Sequence, residues 1–286
     1  MSSKTIAVAG GGRVACALGR FFQKRGYTVS AVASRSRKRA SAAAASISPT
    51  TTATRYADLP RHATHILIAV SDVAIPEVAR MLAVPAMRGG VALHTSGTRG
   101  VEALQPLSDA GAHCGSLHPL QTISDLERSV LALHGAAFAI DGDETALAWA
   151  LELVRAAEGR PLRIAENDRA AYHAAAVLAG NYLITLLDRA AGVFESIGIP
   201  RGQALLALAP LARASLENAV MDGPERALTG PISRGDVETV QAHLAILPPD
   251  VRDLYRICGL ATIEVARRQG LSGEAAVALE RVLRQN

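Results

Sequence analysis

The sequence predicts an α/β domain built on a doubly wound, mainly parallel sheet, followed by an all-α domain. Short apolar runs alternate with helical patterns over the first 165 residues, and a glycine-rich turn joins the first run to the first helix. After Ile164 the strand pattern stops. A chain of 286 residues is long enough for two domains, placed at 1–165 and 166–286.

Residues 5–9 (TIAVA) form a buried-strand run, and Val14, Leu18, Phe21 and Phe22 follow at helical spacing until Gly26 closes that helix. Residues 28–33 (TVSAVA), 66–70 (ILIAV) and 91–94 (VALH) read as further strands, with Pro76 opening the helix between the last two. Weaker strand patterns lie at 112–117, 137–140 and 161–164, and the Ala/Ser tract at 40–48 is compatible with a helix. Beyond them, helical patterns cover 166–197, 201–221, 236–246, 249–268 and 273–285.

Composition narrows the class. With 49% hydrophobic and 20% charged residues the chain is neither disordered nor collagen-like, and 3% aromatics imply an aliphatic, Ala-rich core. Three glycines (Gly10, Gly11, Gly12) and Arg13 interrupt the opening apolar stretch, which therefore does not read as a secretory signal. No uninterrupted apolar run is long enough for a bilayer span, since the longest, at 170–187, carries His173 and Asn181. No membrane association and a cytoplasmic location are expected. Cys16, Cys114 and Cys258 lack disulfide or zinc spacing, and His113, Cys114 and His118 do not match a zinc site, so no metal is expected. The net charge is +4, and Lys4, Lys24 and Lys38 are the sole lysines among 30 basic residues. Such mild basicity suits an anionic small molecule. The basic run at 35–39 has no accompanying aromatics, which argues against nucleic acid.

The segment AVAGGGRVACALG places Gly10-x-Gly12-x-x-Ala15 at a strand-to-helix junction, the position at which this fingerprint binds a dinucleotide. Gly10 permits the tight turn, Gly12 admits a pyrophosphate to the backbone, and Ala15 lets helix and strand pack closely. Arg13 and Val14 begin the helix whose free N–H groups would hold the phosphates. Where an NAD-binding fold carries an acidic residue, this chain has Ser34, Arg35 and Ser36. A guanidinium there can fork onto a 2′-phosphate, so NADP is the expected cofactor and NAD the less favoured one.

Ligands of open parallel sheets bind beyond the carboxyl ends of the strands. Val70 and Ser71 end one strand, His94, Thr95 and Ser96 end the next, and His118 follows the one after. On the helix after 166, Arg169, His173, Val177, Gly180 and Asn181 share one stripe, as a helix bordering a cleft requires. The alternative is that His173 and Asn181 are buried polar residues satisfied by backbone.

Four motifs, HTSG (94–97), GSLHPLQT (115–122), AAYHAAAVLAGNYL (170–183) and GPISRGD (230–236), resemble those of Rossmann-type oxidoreductases whose helical half is a domain of unknown function. More distantly the chain is similar to the 6-phosphogluconate dehydrogenase type, pyrroline-5-carboxylate reductase and prephenate dehydrogenase. The resemblance implies a helical domain packed on the Rossmann domain, an active site between them, and a homodimer formed by the helices. HPLQT is similar to the H-P-M-x-G element of prephenate dehydrogenases, which implies that His118 handles a proton and that Ser96 supports it. Leu120, Gln121 and Thr122 depart from that element, so prephenate is not implied. Arg169 and His173 stand where hydroxyacid dehydrogenases carry Lys and Asn four residues apart.

The expected activity is NADP-dependent hydride transfer to or from a C=O or C=N carbon of a small, carboxylate-bearing substrate in the interdomain cleft. His118 would move the proton, titrating near neutrality. Ser96 would orient it, while His173 and Asn181 fix the reacting atom. Arg169 or Arg234 would hold the carboxylate, beside Thr95. The alternative is a sensor or scaffold that binds NADPH without catalysis.

Overall fold

The computed structural model describes residues 4–285, and the chain separates into one compact unit up to Gly180 and another from Asn181. The first unit carries a single sheet of eight strands among the described residues. They are β1 (Thr5–Ala9), β2 (Thr28–Ala33), β3 (Thr52–Thr54), β4 (His65–Ile68), β5 (Val91–His94), β6 (His113–Pro119), β7 (Ala137–Gly142) and β8 (Arg160–Arg163). Their order is β3-β2-β1-β4-β5-β6-β7-β8, and every neighbouring pair is parallel except β6 with β7. The chain leaves β1 toward β2 and β3, then returns to the other side of β1 as β4. That reversal opens a crevice at the carboxyl ends of β1 and β4, where such sheets take their ligands.

Helices α1 (Arg13–Lys24), α2 (Arg37–Ile47), α3 (Ile75–Leu82), α4 (Gln105–Asp109), α5 (Leu126–Ala132), α6 (Glu144–Ala156) and α7 (Arg169–Val177) complete this unit. Alternation along β1 sends Ile6 and Val8 to one layer with Leu18 and Phe22 of α1. It sends Ala7 and Ala9 to the other layer with Ile66, Ile68 and Leu82. With both faces covered, the strands read as unbroken apolar runs in the sequence.

Two elements differ from the sequence expectation. β3 is a three-residue edge strand, Thr-Ala-Thr, with no apolar run to announce it. The helical pattern at 166–197 begins with a tight turn over Glu166–Asp168, continues as α7, and widens into a π-helical turn over Leu178–Tyr182. The unit boundary falls inside that wide turn.

The second unit contains α8 (Leu183–Ser196), α9 (Arg201–Asp222), α10 (Pro224–Ala227), α11 (Val237–Ile246), α12 (Pro249–Gln269) and α13 (Gly273–Arg284). Ile232, Val240, Leu244, Ile263, Leu279 and Leu283 form its core. Two helical stretches, Glu166–Ser196 and Arg201–Asp222, are long and apolar enough by length and composition to cross a membrane. They pass a window average that tolerates isolated polar residues such as His173 and Asn181, the residues that interrupt the run at 170–187. On α8 and α9, Ile184, Leu206, Leu211, Val220 and Met221 are all exposed.

At the antiparallel turn, Asp143 does two jobs. It caps α6 by accepting from the Ala146 N–H (3.0 Å), and it accepts the Cys114 N–H of β6 (2.8 Å). Asp143→Ala should therefore cost about 1–3 kcal/mol, the loss of a cap plus an abandoned strand-end donor. A lowered urea midpoint would register it.

Candidate active site

The glycine turn is forced by a close approach. Gly10 has φ +142°, and a Cβ there would lie 2.1 Å from the Ala69 carbonyl oxygen just beyond β4. Its N–H donates to the carbonyl of Ala33, the last residue of β2. Gly12 is the opposite case, since a Cβ there would meet nothing within 4 Å. The space a side chain would take is open. Gly12 also begins α1 without any side-chain cap, and the first turn holds Arg13 and no acidic residue. The helix thus offers uncapped N–H groups and its positive dipole end to an anion.

A cleft of about 570 Å³ runs past this turn and is lined by Gly10, Gly12, Arg13, Val14, Ser34, Arg35, Val70, Ser71 and Thr95. These are the cofactor residues expected from sequence, together with Thr95, and Ser36 is the exception. Ser36 instead caps α2, accepting the Arg39 N–H through its hydroxyl (3.4 Å). Tyr56 and Glu77, which carry no sequence signal, line the same cleft, as do Asp72 beyond β4 and Arg39 of the basic run. Burial raises the Tyr56 hydroxyl pKa, while the Arg35 charge and the Ser34 hydroxyl pull against it. Tyr56 therefore stands against the pair that would receive a 2′-phosphate. The donor set fits a dinucleotide: uncapped amides for the diphosphate, and a hydroxyl with two arginines at the end of β2.

The turn after β5 is organised by His94, which is fully buried. Its Nδ1 accepts the Ser96 N–H (3.2 Å), so Nε2 carries the proton and donates to the Gly100 carbonyl (3.0 Å). Burial, reinforced by the Arg169 charge, pushes its pKa down to about 4. The Ser96 hydroxyl is engaged within its own turn by the Thr98 and Arg99 N–H groups and does not reach His118. Thr98 in turn donates to Asp72 (2.7 Å), joining this turn to the end of β4.

His118, on β6, is held by Tyr172 of α7, with 2.7 Å between Nδ1 and the phenolic oxygen and the rings edge-to-face at 5.6 Å. The His173 ring lies 6.4 Å away. Gly97 sits between the two imidazoles, since a Cβ there would come within 2.9 Å of His118 Nε2 and 3.1 Å of His173 Cδ2. Burial first, then His173, lowers the His118 pKa to about 4, with Asp72 working in the opposite direction. That lowering runs against the expectation that His118 titrates near neutrality and favours the neutral ring.

Arg169, expected as a substrate ligand, is engaged within the protein through Nη2, while its Nε and Nη1 are buried without a hydrogen-bond partner among the described residues. It is 1% exposed, and its Nη2 donates to the Ser116 hydroxyl (2.6 Å) and to Asp141 (3.4 Å). Its role here is to tie α7 to β6 and β7. Asn181 and Arg234 belong to the second unit, where Arg234 is exposed and lies 4.0 Å from Asp236. Tyr172 escaped the sequence reading because a stripe drawn at four-residue spacing from Arg169 passes over position i+3, which shares that helix face.

The fold is that of a Rossmann-like domain followed by helices. Residues 2–119 match the Rossmann-like domain family, and residues 136–262 match the family described as Domain of unknown function (DUF2520). No curated protein sequence matches the chain. Among solved structures it is similar to the "putative NADP oxidoreductase BF3122" of Bacteroides fragilis, with TM-score 0.75 and 22% identity over 92% of this chain and 100% of that one. It is also similar to the pyrroline carboxylate reductase of Plasmodium falciparum with NADP bound, with TM-score 0.61 and 13% identity over 98% of this chain and 97% of that one. A third is the reductive aminase of Aspergillus terreus in complex with NADPH and ethyl-5-oxohexanoate, with TM-score 0.58 and 19% identity over 98% of this chain and 92% of that one. These likenesses establish a common fold.

The two buried imidazoles take up protons near pH 6.5 when unfolded but only near 4 when folded. Between those values the unfolded chain holds more protons, so stability falls as pH drops through that window. Urea midpoints should be lower at pH 5 than at pH 7, and His118→Gln should flatten part of that decline.

Proposed function

We propose that the protein is an NADP-dependent oxidoreductase acting on a C=O or C=N carbon of a small substrate. The observation that carries this reading is the cleft in which the uncapped start of α1 and the open side of Gly12 share one space with Ser34, Arg35 and Arg39. An NADPH held there supplies the hydride. The α1 amides and Arg13 hold the diphosphate, and Ser34, Arg35 and Arg39 hold the 2′-phosphate. Val70, Ser71 and Thr95 flank the cleft toward the reacting end. His118 engages the substrate heteroatom, with His173 beside it. Asn181 and Arg234 are assigned to the substrate on the resemblance alone, and Ser96 acts by shaping the turn that carries Gly97. Arg169 ties Ser116 and Asp141 through Nη2 and keeps Nε and Nη1 unpartnered for a substrate carboxylate.

The protein pairs with a second copy of itself through the apolar faces of α8 and α9, where Leu206 is 77% and Met221 80% exposed. Apolar surface on that scale marks an interaction site. All three cysteines are free, which suits a reducing cytoplasm.

Arg35→Ala should weaken NADPH binding roughly 10- to 100-fold, the worth of a hydrogen bond to a charged group, with NADH changed far less. Calorimetric titration of both nucleotides measures this, and equal losses would remove Arg35 from the 2′-phosphate. Replacing Leu206 and Met221 together by Glu should convert a two-copy species into single chains in light scattering.

A further inference from the structure

We propose that Tyr172 fixes His118 as the tautomer protonated on Nε2, and that the site therefore takes a substrate whose reacting heteroatom accepts a hydrogen bond, a carbonyl in preference to an iminium. This rests on the oxidoreductase reading above and resolves which of its two reacting groups the site prefers.

A phenol is a stronger hydrogen-bond donor than a neutral imidazole N–H, and an imidazole nitrogen is a stronger acceptor than a phenolic oxygen. Across the 2.7 Å contact the Tyr172 O–H therefore donates and His118 Nδ1 accepts. One ring proton is left, and it resides on Nε2. Both groups keep the protonation this requires at neutral pH. Burial raises the Tyr172 pKa to about 12 and lowers that of His118 to about 4. Among the described residues no group hydrogen-bonds Nε2, and the edge of the ring that carries it faces Gly97 and His173.

A carbonyl oxygen meets such an N–H with two lone pairs. An imine must be protonated before its carbon accepts a hydride readily, and its nitrogen then has no lone pair, so it would face the ring donor to donor. The Arg169 charge, which also depresses the His118 pKa, disfavours a second cation here, with Asp72 as the opposing charge. Tyr172 acts through His118 and is a positioning residue.

The test is long-range 1H–15N correlation of the histidine rings in the full-length, 15N-labelled protein at pH 7.5, with His118 assigned by its disappearance in His118→Gln. The expected result is a protonated Nε2 and a bare Nδ1 in the parent, replaced by a tautomer mixture in Tyr172→Phe, which keeps the packed ring. A His118 protonated on Nδ1, or a Tyr172→Phe spectrum unchanged at His118, overturns the proposal. A panel of ketones, aldehydes and cyclic imines is then offered with saturating NADPH. Faster reduction of carbonyls supports the substrate class, and faster reduction of imines overturns it. Silence across the panel while NADPH binds overturns the substrate class. Failure of NADPH to bind the parent protein overturns the oxidoreductase reading and the substrate class with it, and in either case the tautomer is judged separately by the spectra.

Discussion

The site depends first on the approach of the glycine turn to the end of β4. Gly10 packs so close to the Ala69 carbonyl that no side chain fits between them, and its N–H is spent on Ala33 from the other neighbouring strand. Those contacts fix where α1 begins. Because α1 begins there without a cap, its amides open onto the crevice created by the reversal of strand order. A cleft walled by uncapped amides thus follows from a backbone packing constraint, before any charged side chain is considered. Ser34, Arg35 and Arg39 line the same cleft.

The second organising element is a buried cation. Arg169 reaches from α7 to Ser116 on β6 and Asp141 on β7, and thereby sets the position of α7 on the sheet. Tyr172, three residues on, is delivered to His118 as a result. The same charge helps to keep His94 and His118 neutral. The chemistry at β6 is therefore that of uncharged rings whose hydrogen-bond direction is set by a neighbour, which is a different device from an imidazole poised to titrate.

Most of the sheet was legible in the sequence because its strands are buried on both faces. The runs at β1, β4 and β5 have no polar residue between their ends, β2 is broken only by Ser30, and the glycine turn sits where its physics requires. β3 was not legible, since Thr-Ala-Thr on an edge has no apolar signature. The reversal of β7 against β6 is a pairing property that no single segment encodes. The lining of the cleft beside the glycine turn was readable for the same reason as the strands, with Ser36 engaged in helix capping. The surroundings of His118 were less readable. Motif position identified His118, but whether Arg169 faces a ligand or the interior depends on Ser116 and Asp141, which are 53 and 28 residues away in the chain. Tyr172 acquires its meaning only when α7 is docked on β6.

The uncapped mouth of α1 has a practical corollary. Backbone amides aimed at open space, with Arg13 beside them, recognise doubly charged oxyanions by geometry and field and are indifferent to whatever is attached to the anion. On the proposed reading, inorganic phosphate or sulfate from a buffer would compete with the nucleotide for that mouth. Apparent affinities would then depend on the buffer chosen, and a non-coordinating one such as a sulfonic-acid amine would report the tightest values.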